Sequence, residues 1–319
     1  VWTDAIQGII MIFGALFCLV YIMFSMPEGP GQVFEIASAN DKFSLGSLSL
    51  SLKESTIWVV LIYGIFINMQ NYGIDQNYVQ RYMASKSEQE AKKSAFFGGM
   101  LYIPVSMIFF MIGTALYAYY SAQPGLLPDD LQVAEMSDRV FPFFIVNNLP
   151  PGFTGLLIAS IFAAGMSTVS TSINSGSTVI LTDYYKRYAK KEVTDKDSMK
   201  VLYISSLTFS IIGIIIGVAM INVQSALDAW WKLASVFSGG MLGLFLLGAF
   251  MKVVNIKGAI IGVILGLIAI LYLSLSPMVF TEEPLLSFAS PFHTYFTIVI
   301  GTLIIFFTGF LATIWKKKA

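Results

Sequence analysis

The stretch IASIFAAGMSTVSTSINSGSTVILTDYY, Ile158 to Tyr185, decides how this chain is read. As a helix it is long enough to cross a bilayer, yet it carries a ladder of hydroxyls. At 100° per residue Ala164, Ser167, Thr168, Thr171, Asn174, Ser175 and Thr178 fall on one side, and Ile161, Phe162, Val169, Ile173 and Ile180 on the other. Hydroxyls gain nothing from facing lipid, so the ladder must meet protein, water or a ligand. Two readings stand. Small residues let helix backbones approach, which makes the ladder a packing face. Oxygen ligands without a fixed negative charge also suit a weakly charged hard cation such as Na⁺, whereas zinc wants His or Cys and calcium several carboxylates.

The rest of the chain puts that helix in a membrane. Hydrophobic residues are 56% of the 319 and charged residues only 12%, too few charges for a soluble domain. Eight apolar stretches approach spanning length, at about 5–26, 56–80, 95–120, 152–184, 201–221, 230–251, 257–276 and 293–315. The expected fold is an all-α polytopic bundle. Basic residues cluster after the second span (Arg81, Lys86, Lys92, Lys93), after the fourth (Lys186, Arg187, Lys190, Lys191), around Lys252 and Lys257, and at Lys316 to Lys318. Acidic loops alternate with them, so the positive-inside rule places both ends of the chain in the cytoplasm of a plasma (inner) membrane protein. Cys18 is the single cysteine and His293 the single histidine, which excludes an internal disulfide and a His/Cys metal centre. The chain opens with Val1 and enters a span within a few residues, as the remainder of a longer protein would.

No linker divides the sequence, and residues 1–319 read as one transmembrane domain. Segment 27–54 reads as a short ordered loop. Segment 121–151, with VFPFFIVNNLPPGF, is too broken by proline to span and too apolar to float in water. It is expected either to fold back onto the bundle as a lid or to lie as an interfacial helix.

The second span is interrupted. IWVVLIYGIFI at 57–67 is a clean apolar half-helix, followed by Asn68-Met69-Gln70-Asn71-Tyr72-Gly73-Ile74-Asp75-Gln76-Asn77. An aspartate alone costs ~2.5–3.5 kcal/mol at a helix centre on insertion scales, so this cluster cannot face lipid at mid-depth. Gly73 permits the positive φ of an unwound turn. A helix broken at the midplane, with Asn68, Asn71, Tyr72, Asp75 and Gln76 turned to a solute, is the pattern of secondary transporters. The alternative is a span that ends near Asn68, leaving only about a dozen apolar residues, too few to cross. Asp4, in Trp2-Thr3-Asp4, reads on its own as a helix cap.

Three blocks resemble the sodium:solute symporter family: VWTDAIQ at 1–7, NYGIDQNYVQRYMASKSEQEA at 71–91 and AAGMSTVSTSINSGSTVILTDYYKRY at 163–188. The middle one resembles the family's G-x-x-Q-x-x-x-Q-R-x-x-x-x-K-[ST] signature through Gly73, Gln76, Gln80, Arg81, Lys86 and Ser87. The resemblance implies the five-plus-five inverted repeat shared with the bacterial leucine transporter, joined at its fifth core helix. Core helices five to ten would occupy about 1–251 and two peripheral helices about 257–315. It implies a main sodium site at the carbonyl of Ala164 and the hydroxyls of Ser167 and Thr168. A second, of the sialic acid type, would use Ser167, Ser170, Thr171 and Asp4. Asn68 matches a sugar-contacting Asn of the galactose symporters. Asn71 and Tyr72 replace a gating Tyr and Trp, which weakens the case for a stacked hexose, and the expected solute is a small organic one: a sugar, a sialic acid or a related organic acid. In the family, the helices that supply the other half of the main sodium site and most solute contacts precede this sequence.

The implied activity is sodium-coupled uptake by alternating access, with Na⁺, a small-molecule solute and the lipid bilayer as partners. Neither a nucleic acid nor an obligate protein partner is implied. A membrane sensor built on a symporter-like bundle is the rival from another class, though nothing after Lys318 resembles a signalling domain. Ser167 has no histidine or lysine partner in its own span, so no enzyme is expected.

Overall fold

A backbone in hydrocarbon can satisfy its N–H and C=O groups within one segment only as a helix. The computed structural model describes residues 2–189, 193–221, 223, 226–251, 254–280 and 285–318, apart from the side chains of 2–4, 134, 135, 226–229, 231–233, 235–237, 278, 286 and 315–318. Its regular structure is helical throughout these residues. Seven helices there are long and apolar enough to cross a membrane, and the helix Ala226–Phe250 adds the apolar stretch Ser238–Phe250. The chain forms two compact units, residues 1–44 with 85–225 and residues 45–84 with 226–319.

The first unit holds α1 (Trp2–Phe24), α2 (Gly31–Ala39), α5 (Glu88–Ala122), α6 (Val140–Asn147), α7 (Pro151–Val179) and α9 (Asp195–Ala219). Segment 27–54, read as a loop, therefore contains a helix. Segment 121–151 becomes three short 3-10 turns and α6, which the prolines interrupt because each lacks an N–H and fixes φ. Folded against α5 and α7, α6 buries Phe144 fully among Tyr21, Tyr119 and Ile145. Asn148, just past α6, holds this joint: Tyr120 donates to its Oδ1 at 3.2 Å, and its Nδ2 donates to Tyr119 Oη at 3.3 Å.

α1 packs against α5 and α7. A Cβ on Gly14 would overlap Leu157, and Phe17 stacks on Phe153 with centroids 3.8 Å apart. Gly14 thus pairs with Leu157 and Phe17 with Phe153, so α1 and α7 run antiparallel. α7 starts with Pro151 in its first turn, where a missing N–H costs nothing. It continues past Val179 through a π-helical turn, Ile180–Tyr185, into α8 (Lys186–Tyr188).

The second unit holds α3 (Ile57–Ile74), α4 (Gln76–Met83), α10 (Ala226–Phe250), α11 (Ile256–Val279) and α12 (Phe296–Lys318). Gly258, Gly262 and Gly266 on α11 repeat every four residues and let its backbone approach α12: a Cβ on Gly262 would lie 2.9 Å from Ile305 O. Thr56, fully buried, caps α3 by accepting from Val59 N–H. Val59, Tyr63 and Ile67 form a core with Phe296, Ile298 and Val299, and Tyr63 stacks on Tyr295 at 4.5 Å.

The expected break in the second span needs correction. α3 is helical through Asn68 to Ile74, and Gly73 has no positive φ, a geometry found only at Gly29, Gly46 and Asp41 among the described residues. The break falls on one residue, Asp75, in extended conformation at φ −68° and ψ 122°. Its N–H bonds Gln70 O at 3.2 Å while its Oδ1 accepts from Asn77 N–H at 2.8 Å. Aspartate ends one helix and starts the next because its carboxylate offers the backbone a local partner that competes with the helical ladder. The alternative of a span ending at Asn68 is not observed either.

Candidate functional site

On α7 the sequence-expected ligands sit within two turns. Thr168 Oγ1 donates to Ala164 O at 3.0 Å, and Thr171 Oγ1 donates to Ser167 O at 2.9 Å. Each hydroxyl gives its proton to the carbonyl one turn back, the cheapest satisfaction available inside a membrane helix. A hydroxyl has one donor but two acceptor lone pairs, so back-bonding spends the proton and leaves lone pairs to face outward. Thr168 and Ser170 are exposed, while Ala164, Ser167 and Thr171 are half-buried. Rotating Thr168 about its Cα–Cβ bond would break this hydrogen bond and free a lone pair of the Ala164 carbonyl.

The lower half of the ladder differs. Ser175 and Ser177 are buried, and Ser177 Oγ lies 3.0 Å from Ser206 Oγ on α9 while donating to Ile173 O at 2.8 Å. Gly176 lets the ring of Phe209 close in: a Cβ there would be 3.0 Å from Cε2. This stretch is a packing face. Ser170 and Asn174 turn instead to a groove between α7 and α9 that Ser206 and Ser210 also line, with Phe162, Val169 and Ile173 as its apolar wall. The α9 serines were not singled out from sequence. Ser206 and Ser210, one turn apart in an otherwise aliphatic span, were the signal that could have found them.

Asp4 belongs to the first turn of α1, and its side chain lies outside the described residues. The α1–α7 register fixes its backbone level nonetheless. Ten residues back from Gly14, at equal rise in both helices, corresponds to ten residues on from Leu157. That is the level of Ser167.

The solute residues proposed from sequence lie in the second unit. Taking 100° per residue, Asn68, Asn71, Tyr72 and Asp75 share one face of α3, opposite the face of Val59, Tyr63, Ile67 and Gln70 that is buried. Asn68 is exposed, and Asn71, Tyr72, Asp75 and Gln76 are half-buried. Asn68 Nδ2 donates to Gly64 O at 2.7 Å, which leaves its second N–H and its Oδ1 for a ligand. Asp75 is committed to the helix break through one oxygen, and Gln76 opens α4 beside it. Tyr72 packs near Tyr78 at 5.1 Å, and burial together with Tyr72 pushes the Tyr82 phenol above its ordinary pKa, keeping it neutral. The signature residue Ser87 has a structural duty: it caps α5 by accepting from Glu90 N–H at 3.2 Å.

Comparison with known proteins places these elements in context. The profile of the sodium:solute symporter family matches residues 1–266. The sodium/sialic acid symporter NanT of Aliivibrio fischeri is 31% identical over 314 residues, covering 98% of this chain and 59% of the relative. The sodium/sialic acid symporter SiaT of Proteus mirabilis is 34% identical over 274 residues, covering 85% of this chain and 54% of the relative. A solved structure, described as a substrate-bound outward-open state of a Na⁺-coupled sialic acid symporter that reveals a novel Na⁺ site, superposes with a TM-score of 0.81 at 31% identity. It is covered to 61%, and this chain to 98%. The chain therefore spans a little over half the length of these relatives.

Proposed function

This chain belongs to the sodium:solute symporter family, and we propose that it supplies the α7 sodium ligands and part of the solute pocket of a symporter importing a sialic acid or related sugar acid. The observation that supports this best is the clustering of oxygens in the upper half of α7. There the oxygens of Ala164, Ser167, Thr168 and Thr171 lie in back-bonded pairs 2.9–3.0 Å apart within two turns, with Thr168 exposed. Ala164, Ser167 and Thr168 form the main ion site in this reading. Ser167, Ser170 and Thr171 form a second, with Asp4 at the same level on α1. Because the hydroxyls are bonded to carbonyls when no ion is present, neither state leaves an orphaned polar group in the membrane.

Sodium stabilises an outward-open state that accepts the solute, the bundle rocks, and both leave toward the basic-loop side, which the charge pattern makes cytoplasmic. Each charge carried inward at 100 mV releases ~2.3 kcal/mol. Two sodium ions with a neutral solute thus gain ~4.6 kcal/mol, enough for about a thousandfold accumulation, and with an anionic sugar acid ~2.3 kcal/mol, about fiftyfold, before the sodium gradient is added. The sugar-acid assignment is supported by the two sialic acid symporters and by amide donors on the α3 stripe, Asn68 and Asn71, that suit hydroxyls and a carboxylate.

The test is uptake of radiolabelled sialic acid by the full-length protein in proteoliposomes. Ser167→Ala should abolish sodium stimulation while the protein stays folded. Unchanged sodium dependence would overturn the reading.

A further inference from the structure

A second cavity, of about 880 Å³, lies in the first unit between the last four turns of α5, the short turns after Gln123 and α6. Phe109, Phe110 and Phe141 form its apolar wall. Gly113 contributes bare backbone to it, and a Cβ there would meet nothing within 4 Å. Lys42 stands at one end with its ammonium 4.0 Å above the Tyr117 ring. Tyr117, exposed near the end of α5, stands where an aromatic side chain is expected at a bilayer–water boundary, while Tyr119 and Tyr120 beside it are buried in the core. Phe109 lies eight residues earlier, roughly 12 Å deeper along the helix axis. The cavity therefore joins a cation at headgroup level to aromatic surface inside the hydrocarbon.

We propose that this groove binds one phospholipid, with its phosphate on Lys42 and an acyl chain along Phe110 and Phe109. The geometry favours a lipid over a soluble anion. A sugar acid has no apolar length to cover Phe110, which is 76% exposed. A bare hydrocarbon would leave Lys42 unused. Beside the mouth, Gln132 Nε2 donates to Asp129 Oδ1 and to Leu127 O, each at 3.1 Å, which pins the turn at the rim of the groove. The site is independent of which solute is carried, since it involves none of the α7 or α3 stripe residues.

Native mass spectrometry of the full-length protein in detergent, titrated with dioleoylphosphatidylethanolamine, tests it. The wild type should retain one lipid, and Lys42→Ala and Gly113→Leu should each lower retention by about fivefold. Both positions are open, so both variants should fold, which a thermal melt checks. Excess inorganic phosphate should not displace the lipid. Equal retention in all three proteins, loss in only one variant, or displacement by phosphate would each overturn the proposal.

Discussion

The upper and lower halves of α7 are built from the same residue types and end in different states. Ala164 to Thr171 is open, with Thr168 and Ser170 exposed, whereas Ser175 and Ser177 are buried against α9. In both halves the hydroxyls bond back to carbonyls four residues earlier, so the helix treats them alike. What differs is the opposing surface. Ser206 and Phe209 meet the lower half, whereas Ser170 in the upper half borders a groove with an apolar wall and two α9 serines. A back-bonded hydroxyl costs its own helix little. Whether it becomes adhesive or ligand depends on what faces it.

That contrast can be broken at several points. The largest effect should come from the double variant Ser167→Ala/Thr168→Val, which strips two oxygens from the open half. Like Ser167→Ala alone, it should show no sodium-stimulated uptake, and its sodium affinity in a direct binding assay should fall by well over tenfold, more than ~1.4 kcal/mol, with its melting temperature nearly unchanged. A large melting shift with normal sodium affinity would make the upper half a packing face too. Gly176→Leu should do the reverse, destabilising by about 1–3 kcal/mol through overpacking on Phe209, with sodium affinity preserved in the folded fraction. Thermal melts with and without sodium separate the two effects. Ser170→Ala sharpens the picture within the open half: the Hill coefficient for sodium should drop toward one while the first ion still binds. A coefficient unchanged from wild type would remove the second site. Ser177→Ala should cost least, about 0.6 kcal/mol, because Ser206 can bond back to its own helix. A loss of transport there would show that the α7–α9 contact is more than packing.

Much of the fold is legible in residue order. Spans betray themselves by length and hydropathy, and the family blocks at 1–7, 71–91 and 163–188 lie on α1, on α3 through α5, and on α7 with its extension. The amide stripe was also within reach, since Asn68, Asn71, Tyr72 and Asp75 have the i, i+3, i+4, i+7 spacing of one helix face. The break falls within the polar stretch 68–77 that the sequence marks, at Asp75 and not at Gly73, because a carboxylate that accepts from the N–H two residues on ends one helix and caps the next, whereas glycine's conformational freedom alone does not force a break. The α7–α9 contact lay further out of reach. Ser177 and Ser206 are 29 residues apart, and nothing near either one names the other.

By itself the sequence determined that this protein is a helical membrane bundle of the symporter family with one hydroxyl-lined span, because hydropathy, length and helical period are properties of contiguous residues. Only the tertiary structure decided which hydroxyls are covered and which remain open, and that α3 yields at Asp75 and nowhere earlier. Those outcomes depend on which surfaces meet and which backbone partners prevail. Both are settled by the competition among contacts in the folded chain, which the local pattern does not record.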